Sequence, residues 1–110
     1  MLDLALRALA EPRRREILSL IQYAECPAGE IASHFDVTRP AISQHLQVLV
    51  RSGLVTVRRD KTSLLYLARP EGMRQVMDFL NQFWGDGLLR LKEAAESEER
   101  RADDGTEPGS

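Results

Sequence analysis

Between Glu30 and Val55 the apolar residues Ile31, Phe35, Val37, Ile42, Leu46 and Leu49 recur at the spacing of two short helices that bury one side against each other. The pattern predicts a helix over about residues 27 to 35, a turn at Asp36 and Val37, and a second helix from Thr38 to about Arg51 or Ser52. Thr38 suits the N-cap because its hydroxyl can accept from a free backbone N–H. Pro40 falls in the first turn, where a missing N–H costs little, and Gly53 supplies a left-handed stop. The outward side of the second helix is then Arg39, Ser43, Gln44 and Gln47, all groups able to form hydrogen bonds.

The same reading extends to both sides. Leu2 to Ala10 predicts a helix with Leu2, Ala5, Leu6 and Leu9 on one face. Glu11 and Pro12 mark a boundary, and a second helix is expected from Pro12 to about Ala24, with Ile17, Leu18, Leu20 and Ile21 on its core side. Leu54 to Arg59 and Ser63 to Ala68 alternate and are rich in Val, Leu, Thr and Tyr, which predicts a hairpin with Asp60, Lys61 and Thr62 at its tip. After Pro70 a last helix starts near Glu71 and carries Met73, Val76, Met77, Leu80, Trp84, Leu88, Leu91 and Ala95 in one stripe, widened by Phe79 and Phe83. Gly85 and Gly87 each disfavour helix by roughly 1 kcal/mol against alanine, so a bend or break is expected near Asp86. The stripe is broader than a small domain can cover, so a second copy of the chain is expected to cover the remainder.

The expected fold is therefore mainly α with a small β-hairpin, in the order α-α-α-α-β-β-α. Residues 1–96 form one folded domain, and residues 97–110 an acidic, disordered tail. A chain of 110 residues fits a single domain. No apolar run approaches the ~20 residues of a membrane helix, and Leu2 to Ala10 carries Asp3 and Arg7, unlike a signal peptide. A cytoplasmic protein with no membrane partner is expected. Cys26 is the only cysteine, which excludes an intrachain disulfide.

Net charge is −2, mildly against a nucleic-acid binder, but distribution matters more than the sum. From Val37 to Arg69 the cations are Arg39, Arg51, Arg58, Arg59, Lys61 and Arg69, and the one acid is Asp60. The acidic excess lies mostly in Glu96, Glu98, Glu99, Asp103, Asp104 and Glu107. A polar helix held across a supporting helix, followed by a cationic hairpin, is shaped for a DNA major groove. The pattern thus describes a dimeric winged helix-turn-helix.

These motifs resemble the ArsR/SmtB family of bacterial winged-helix regulators. The residues that carry the likeness are Ala8-Leu-Ala-Glu-Pro-Arg-Arg-Arg-Glu-Ile-Leu18, Gly29-Glu-Ile-Ala32, Thr38-Arg-Pro-Ala-Ile-Ser-Gln-His-Leu-Gln-Val-Leu49, Gly53-Leu-Val55 and Leu64-Leu-Tyr-Leu67. The likeness covers about residues 5 to 95. It implies a homodimer joined by the first and last helices, here through Leu2, Leu6, Leu9, Met73, Met77, Leu80, Trp84, Leu88 and Leu91. It also implies a double-stranded operator bound by the fourth helix and the wing, usually for repression.

The family's metal-sensing patterns are absent. A cysteine pair expected on the third helix falls on Pro27 and Gly29, and one thiolate at Cys26 is not a soft-metal site. The last helix has Asp78 and Asp86 but no histidine, since the chain's two histidines are His34 and His45. No metal or other cofactor is expected, and the effector is left unnamed. A wing glycine common in the family is also missing, with Lys61 in the turn.

Ser43 and Gln44 are the candidates for base edges, Gln44 because glutamine can pair bidentately with adenine. Gln47 reaches phosphate or base one turn on. Thr38 and Arg39 hold phosphate, Thr38 serving equally as a plain N-cap. His45 either packs to fix the helix or, as the resemblance suggests, touches DNA. Arg58, Arg59 and Lys61 reach the minor groove or flanking phosphates. Arg13, Arg14 and Arg15 lie at the unfavourable end of their own helix dipole and read as solvated or as phosphate contacts. Competing readings are an activator, a redox or ligand sensor acting through Cys26, and a winged helix that binds protein. An enzyme is not expected: Ser43 and His45, two apart on a helix, do not face each other, and nothing is placed to orient His34 toward Cys26.

Overall fold

The computed structural model describes residues 2–105, with the side chains of residues 83–86, 88, 89 and 101–105 left out. Its elements are α1 (Leu2–Leu9), α2 (Pro12–Leu20), β1 (Cys26–Pro27), α3 (Ala28–Ser33), α4 (Arg39–Arg51), β2 (Val55–Asp60), β3 (Ser63–Ala68) and α5 (Pro70–Gly105). The chain divides into two units, residues 1–76 and residues 77–110.

In the first unit, Ile17, Ile21, Ile31, Ile42, Leu46, Leu49 and Leu54 are fully buried. Ala5 and Ala8 of α1 are buried with them, and Leu2, Leu6 and Leu9 pack half-buried against the same cluster. Glu11 caps α2 by accepting from Arg13 N–H, with Pro12 in the first turn. α2 stops four residues short of the expected Ala24, and Leu20 is 37% exposed instead of in the core. The Ile21 carbonyl accepts from Ala68 N–H at 3.0 Å, which draws the chain off the helix toward the end of β3.

The expected third helix loses its first residue to a strand. Cys26 and Pro27 pair antiparallel with Tyr66 and Leu65, giving a three-stranded sheet in the order β1-β3-β2. Pro27 is extended (φ −72°, ψ 154°), and a proline without an N–H fits an edge strand. β2 and β3 pair from Val55↔Ala68 to Asp60↔Ser63. Lys61, in the connecting turn, takes φ 60°.

α4 ends as expected, on Gly53 at φ 82°. Leu54 N–H donates to Leu49 C=O at 3.0 Å and Gly53 N–H to Val50 C=O at 3.1 Å, the two bonds of a Schellman cap. Buried Ser52 donates its hydroxyl to Leu49 C=O at 2.9 Å. α5 begins directly on this turn. Arg69 N–H donates to Leu54 C=O at 2.8 Å, and a side chain at Gly72 would place its Cβ 2.2 Å from the Gly53 carbonyl oxygen. Only glycine permits that approach.

α5 runs Pro70–Gly105 without the expected break at Asp86, and it continues past residue 96 into the stretch expected to be a tail. The sequence after Gly87 is rich in Leu, Ala, Glu, Lys and Arg, all strong helix formers. Glu96 stands four residues before Arg100, a favourable helical spacing. Residues 106–110 of the tail lie outside the described residues. Among the described residues no helix is long and apolar enough to cross a membrane.

Candidate nucleic-acid interface

α4 is two-faced. Ile42, Leu46 and Leu49 are fully buried, whereas Thr38, Arg39, Gln44, Gln47 and Arg51 are exposed and Ser43 and His45 half-buried. α3 packs across it, and β2 follows directly. The structure brings Gln44, His45, Gln47 and Arg51 to one cleft on α4, whereas Ser43, two residues from His45, faces a different side of the helix. Thr38 Oγ1 accepts from Ala41 N–H at 3.3 Å, so its capping role is present in the unbound chain. The Arg39 guanidinium lies over Gly29 of α3, with its terminal atoms 3.5–3.6 Å from where a Cβ on Gly29 would stand.

The wing cations differ in their surroundings. Arg58 is held by Glu25, with Nε 2.5 Å from Oε2 and Nη2 2.7 Å from Oε1. This pairing drives the Glu25 carboxyl below its ordinary range and the guanidinium above its own. Both groups stay solvent-exposed, so the pair is a modest contributor to stability. Arg59 and Lys61 are exposed as expected. Glu25 had no part in the sequence reading. It precedes β1, and the pairing of β1 with β3 brings it within reach of the Arg58 side chain, which extends from β2 on the other side of β3.

The arginine run is not merely solvated: each guanidinium has a partner within the chain. Arg14 Nε donates to Ala8 C=O at 2.8 Å and Arg15 Nη1 to Leu9 C=O at 2.7 Å. These cations lie at the wrong end of α2 but the right end of α1, whose last-turn carbonyls they bond. Arg13 stacks over the Phe35 ring at 4.9 Å and pairs with Glu16 at 3.4 Å. Arg14 also reaches His45, with Nη1 3.3 Å from Nδ1. Burial first, then the nearby Arg14 charge, lowers the His45 pKa below its ordinary 6.5.

Cys26 is buried, and its thiol donates to Glu30 Oε2 at 3.3 Å. Burial and the Glu30 carboxylate push its pKa up to about 11. A cysteine in this state is a poor nucleophile and a poor metal ligand at neutral pH. Among the described residues no three His, Cys, Asp or Glu side chains stand close enough to hold a metal ion.

Of the residues expected at a dimer contact, Leu2, Leu6, Leu9 and Met73 are half-buried against the first unit's own core. In the second unit Met77, Leu80 and Leu91 are 51%, 36% and 60% exposed. Trp84 and Leu88 lie outside the described side chains.

A supporting helix, a second helix with a polar outer face, and a sheet whose hairpin projects cations together define a winged helix-turn-helix protein. Residues 9–58 match the family model described as a helix-turn-helix domain. The chain is 35% identical, over 87% of its length and 90% of the relative's, to the HTH-type transcriptional regulator Rv2034 of Mycobacterium tuberculosis. It is 33% identical to the arsenical resistance operon repressor of Staphylococcus xylosus, covering 74% of each. It also resembles the solution structure of the homodimeric winged helix-turn-helix DNA-binding domain of a possible ArsR-family transcriptional regulator from Mycobacterium bovis. There the identity is 30% and the TM-score 0.62, over 76% of this chain and 77% of that one. The chain belongs to the ArsR family of winged helix-turn-helix transcriptional regulators.

Proposed function

We propose that this DNA-binding regulator acts as a homodimeric repressor on a roughly palindromic operator. The observation that carries the reading is the division of α4 into a fully buried apolar face and an exposed face of Arg39, Gln44 and Gln47. Two such helices in a dimer would enter successive major grooves about one DNA turn apart. Ser43, Gln44, His45 and Gln47 would meet base edges, while Thr38, Arg39, Arg59 and Lys61 would meet phosphates. Arg58 joins them once its pairing with Glu25 is exchanged for phosphate. The exposed Met77, Leu80 and Leu91 support a dimer contact along α5. Repression is supported by the relationship to the arsenical resistance repressor. It follows physically wherever the occupied operator overlaps a promoter.

Selection of bound DNA from a random pool, with the mass of the complex measured in parallel, tests this reading. A two-fold-symmetric site bound by two subunits is expected. If each subunit neutralises about three or four phosphates, the slope of log affinity against log salt is about −5 to −7. A monomer that binds no duplex, or a flat salt response, would overturn it.

A further inference from the structure

Arg14 makes three contacts at once. Besides the Ala8 carbonyl, its Nη2 donates to the Arg7 carbonyl at 3.2 Å, and Nη1 lies 3.3 Å from His45 Nδ1. The two carbonyl bonds belong to the last turn of α1 and fix the guanidinium plane. A guanidinium carries donors only and does not deprotonate in proteins. The bond to His45 therefore requires a lone pair on Nδ1, which puts the single ring proton of the neutral imidazole on Nε2.

We propose that Arg14 is a positioning residue that locks His45 in the Nε2–H tautomer, so that the recognition helix offers DNA an obligatory hydrogen-bond donor at this position. The proposal rests on the reading of α4 as the helix that meets base edges. An unrestrained histidine can present either a donor or an acceptor by moving its proton, and so tolerates a base edge of either kind. With Nδ1 occupied, the free nitrogen can serve only acceptors. In the major groove these are guanine O6 and N7, adenine N7 and thymine O4, while the amino group of cytosine is refused. The half-buried ring lines an open cleft of about 270 Å³ shared with Gln44, Gln47 and Arg51, which leaves room for a base edge. Of the charges acting on the ring, Arg14 and Arg13 on α2 oppose its protonation and Glu11 favours it. Arg51 lines the same cleft from α4 itself.

The test joins a ring spectrum to a binding selection. Long-range proton–nitrogen NMR correlations on the ¹⁵N-labelled full chain at pH 7.5, without DNA, distinguish the two tautomers directly. Wild type is expected to give His45 as a pure Nε2–H form, and Arg14→Met a mixture. Random-pool selection with the two proteins should then differ at one position per half-site. Wild type disfavours cytosine there by roughly fivefold, about the worth of one neutral hydrogen bond, and Arg14→Met loses that bias. Loss of the Arg14 charge alone would weaken all sequences equally and leave the bias intact. A wild-type ring protonated on Nδ1, or mixed, overturns the proposal without need of a variant, which covers the case in which Arg14→Met does not fold. An unchanged base preference in a folded Arg14→Met protein overturns it as well. Wild type with the expected ring pattern but no affinity for any duplex would instead refute the DNA-reading role of α4, and with it the proposed readout.

Discussion

Arg58 of the wing and Glu25 of the loop before β1, thirty-three residues apart in sequence, share two hydrogen bonds of 2.5 and 2.7 Å. A wing cation is therefore neutralised in the unbound protein, and in the proposed complex it would trade a carboxylate for phosphate. Replacing Glu25 with Gln removes the competitor without removing the side chain. Non-specific DNA binding is expected to tighten, and the log–log salt slope to steepen by about 2 per dimer, one released counterion per subunit. Titration at several salt concentrations on a duplex lacking the operator reads both. Weaker binding with an unchanged slope would mean that Glu25 serves only to hold the wing in place.

A second prediction concerns the start of α5. Gly72 stands where any Cβ would fall 2.2 Å from the Gly53 carbonyl oxygen and 2.9 Å from its carbon, both backbone atoms that cannot swing aside. Gly72→Ala must push α5 off the Schellman turn. Overpacking of this kind typically costs about 1–3 kcal/mol, which outweighs the helical preference for alanine of roughly 1 kcal/mol. Urea unfolding should show a lowered midpoint. Alanine at this glycine should therefore destabilise the protein, the reverse of its usual effect inside a helix.

The recognition helix was legible because each of its signals is local. Thr38, Pro40, the Ile42, Leu46 and Leu49 spacing, and Gly53 all act within a turn of where they stand. What escaped the sequence depends on distant partners. β1 has two residues, too few for an alternating pattern, and exists because Tyr66 and Leu65 offer it an edge. Leu20 shares the apolar character of Ile17 and Ile21, yet those two, one turn apart, share the buried side while Leu20, the last residue of α2, is left exposed. The arginine run is unfavourable to the dipole of its own helix, and its partners, the terminal carbonyls of the helix before it, lie beyond any local signal. Glu25 carried no signal at all, since its role depends on a strand pairing invisible in its neighbours.

Cys26 gives a prediction in alkali. Its folded pKa of about 11 lies above the ordinary 9.0, so between these values the unfolded chain releases a proton that the folded chain retains. The stability due to this thiol is whole below pH 9 and is lost as pH rises toward 11, by on the order of 3 kcal/mol in all. The comparison is with Cys26→Ala, which isolates the thiol. The variant's unfolding free energy should fall less steeply above pH 9. At pH 7.5 the folded wild type should react with iodoacetamide far more slowly than a free thiol, and operator binding should be insensitive to mild oxidant. A fast-reacting Cys26 would restore the sensor reading.

Lys61 holds a conflict between backbone and charge. Its φ of 60° is a left-handed conformation that disfavours side chains by roughly 1–2 kcal/mol, and glycine would relieve it. Lysine instead places an exposed cation in the turn of the wing hairpin. Lys61→Gly and Lys61→Ala both delete the charge, but only glycine removes the strain. The two should weaken DNA binding by similar factors, while the glycine variant is the more stable by about 1 kcal/mol, less whatever entropy glycine restores to the unfolded chain. Equal stability with unequal affinity would mean that the side chain shapes the turn and that its charge does not reach phosphate.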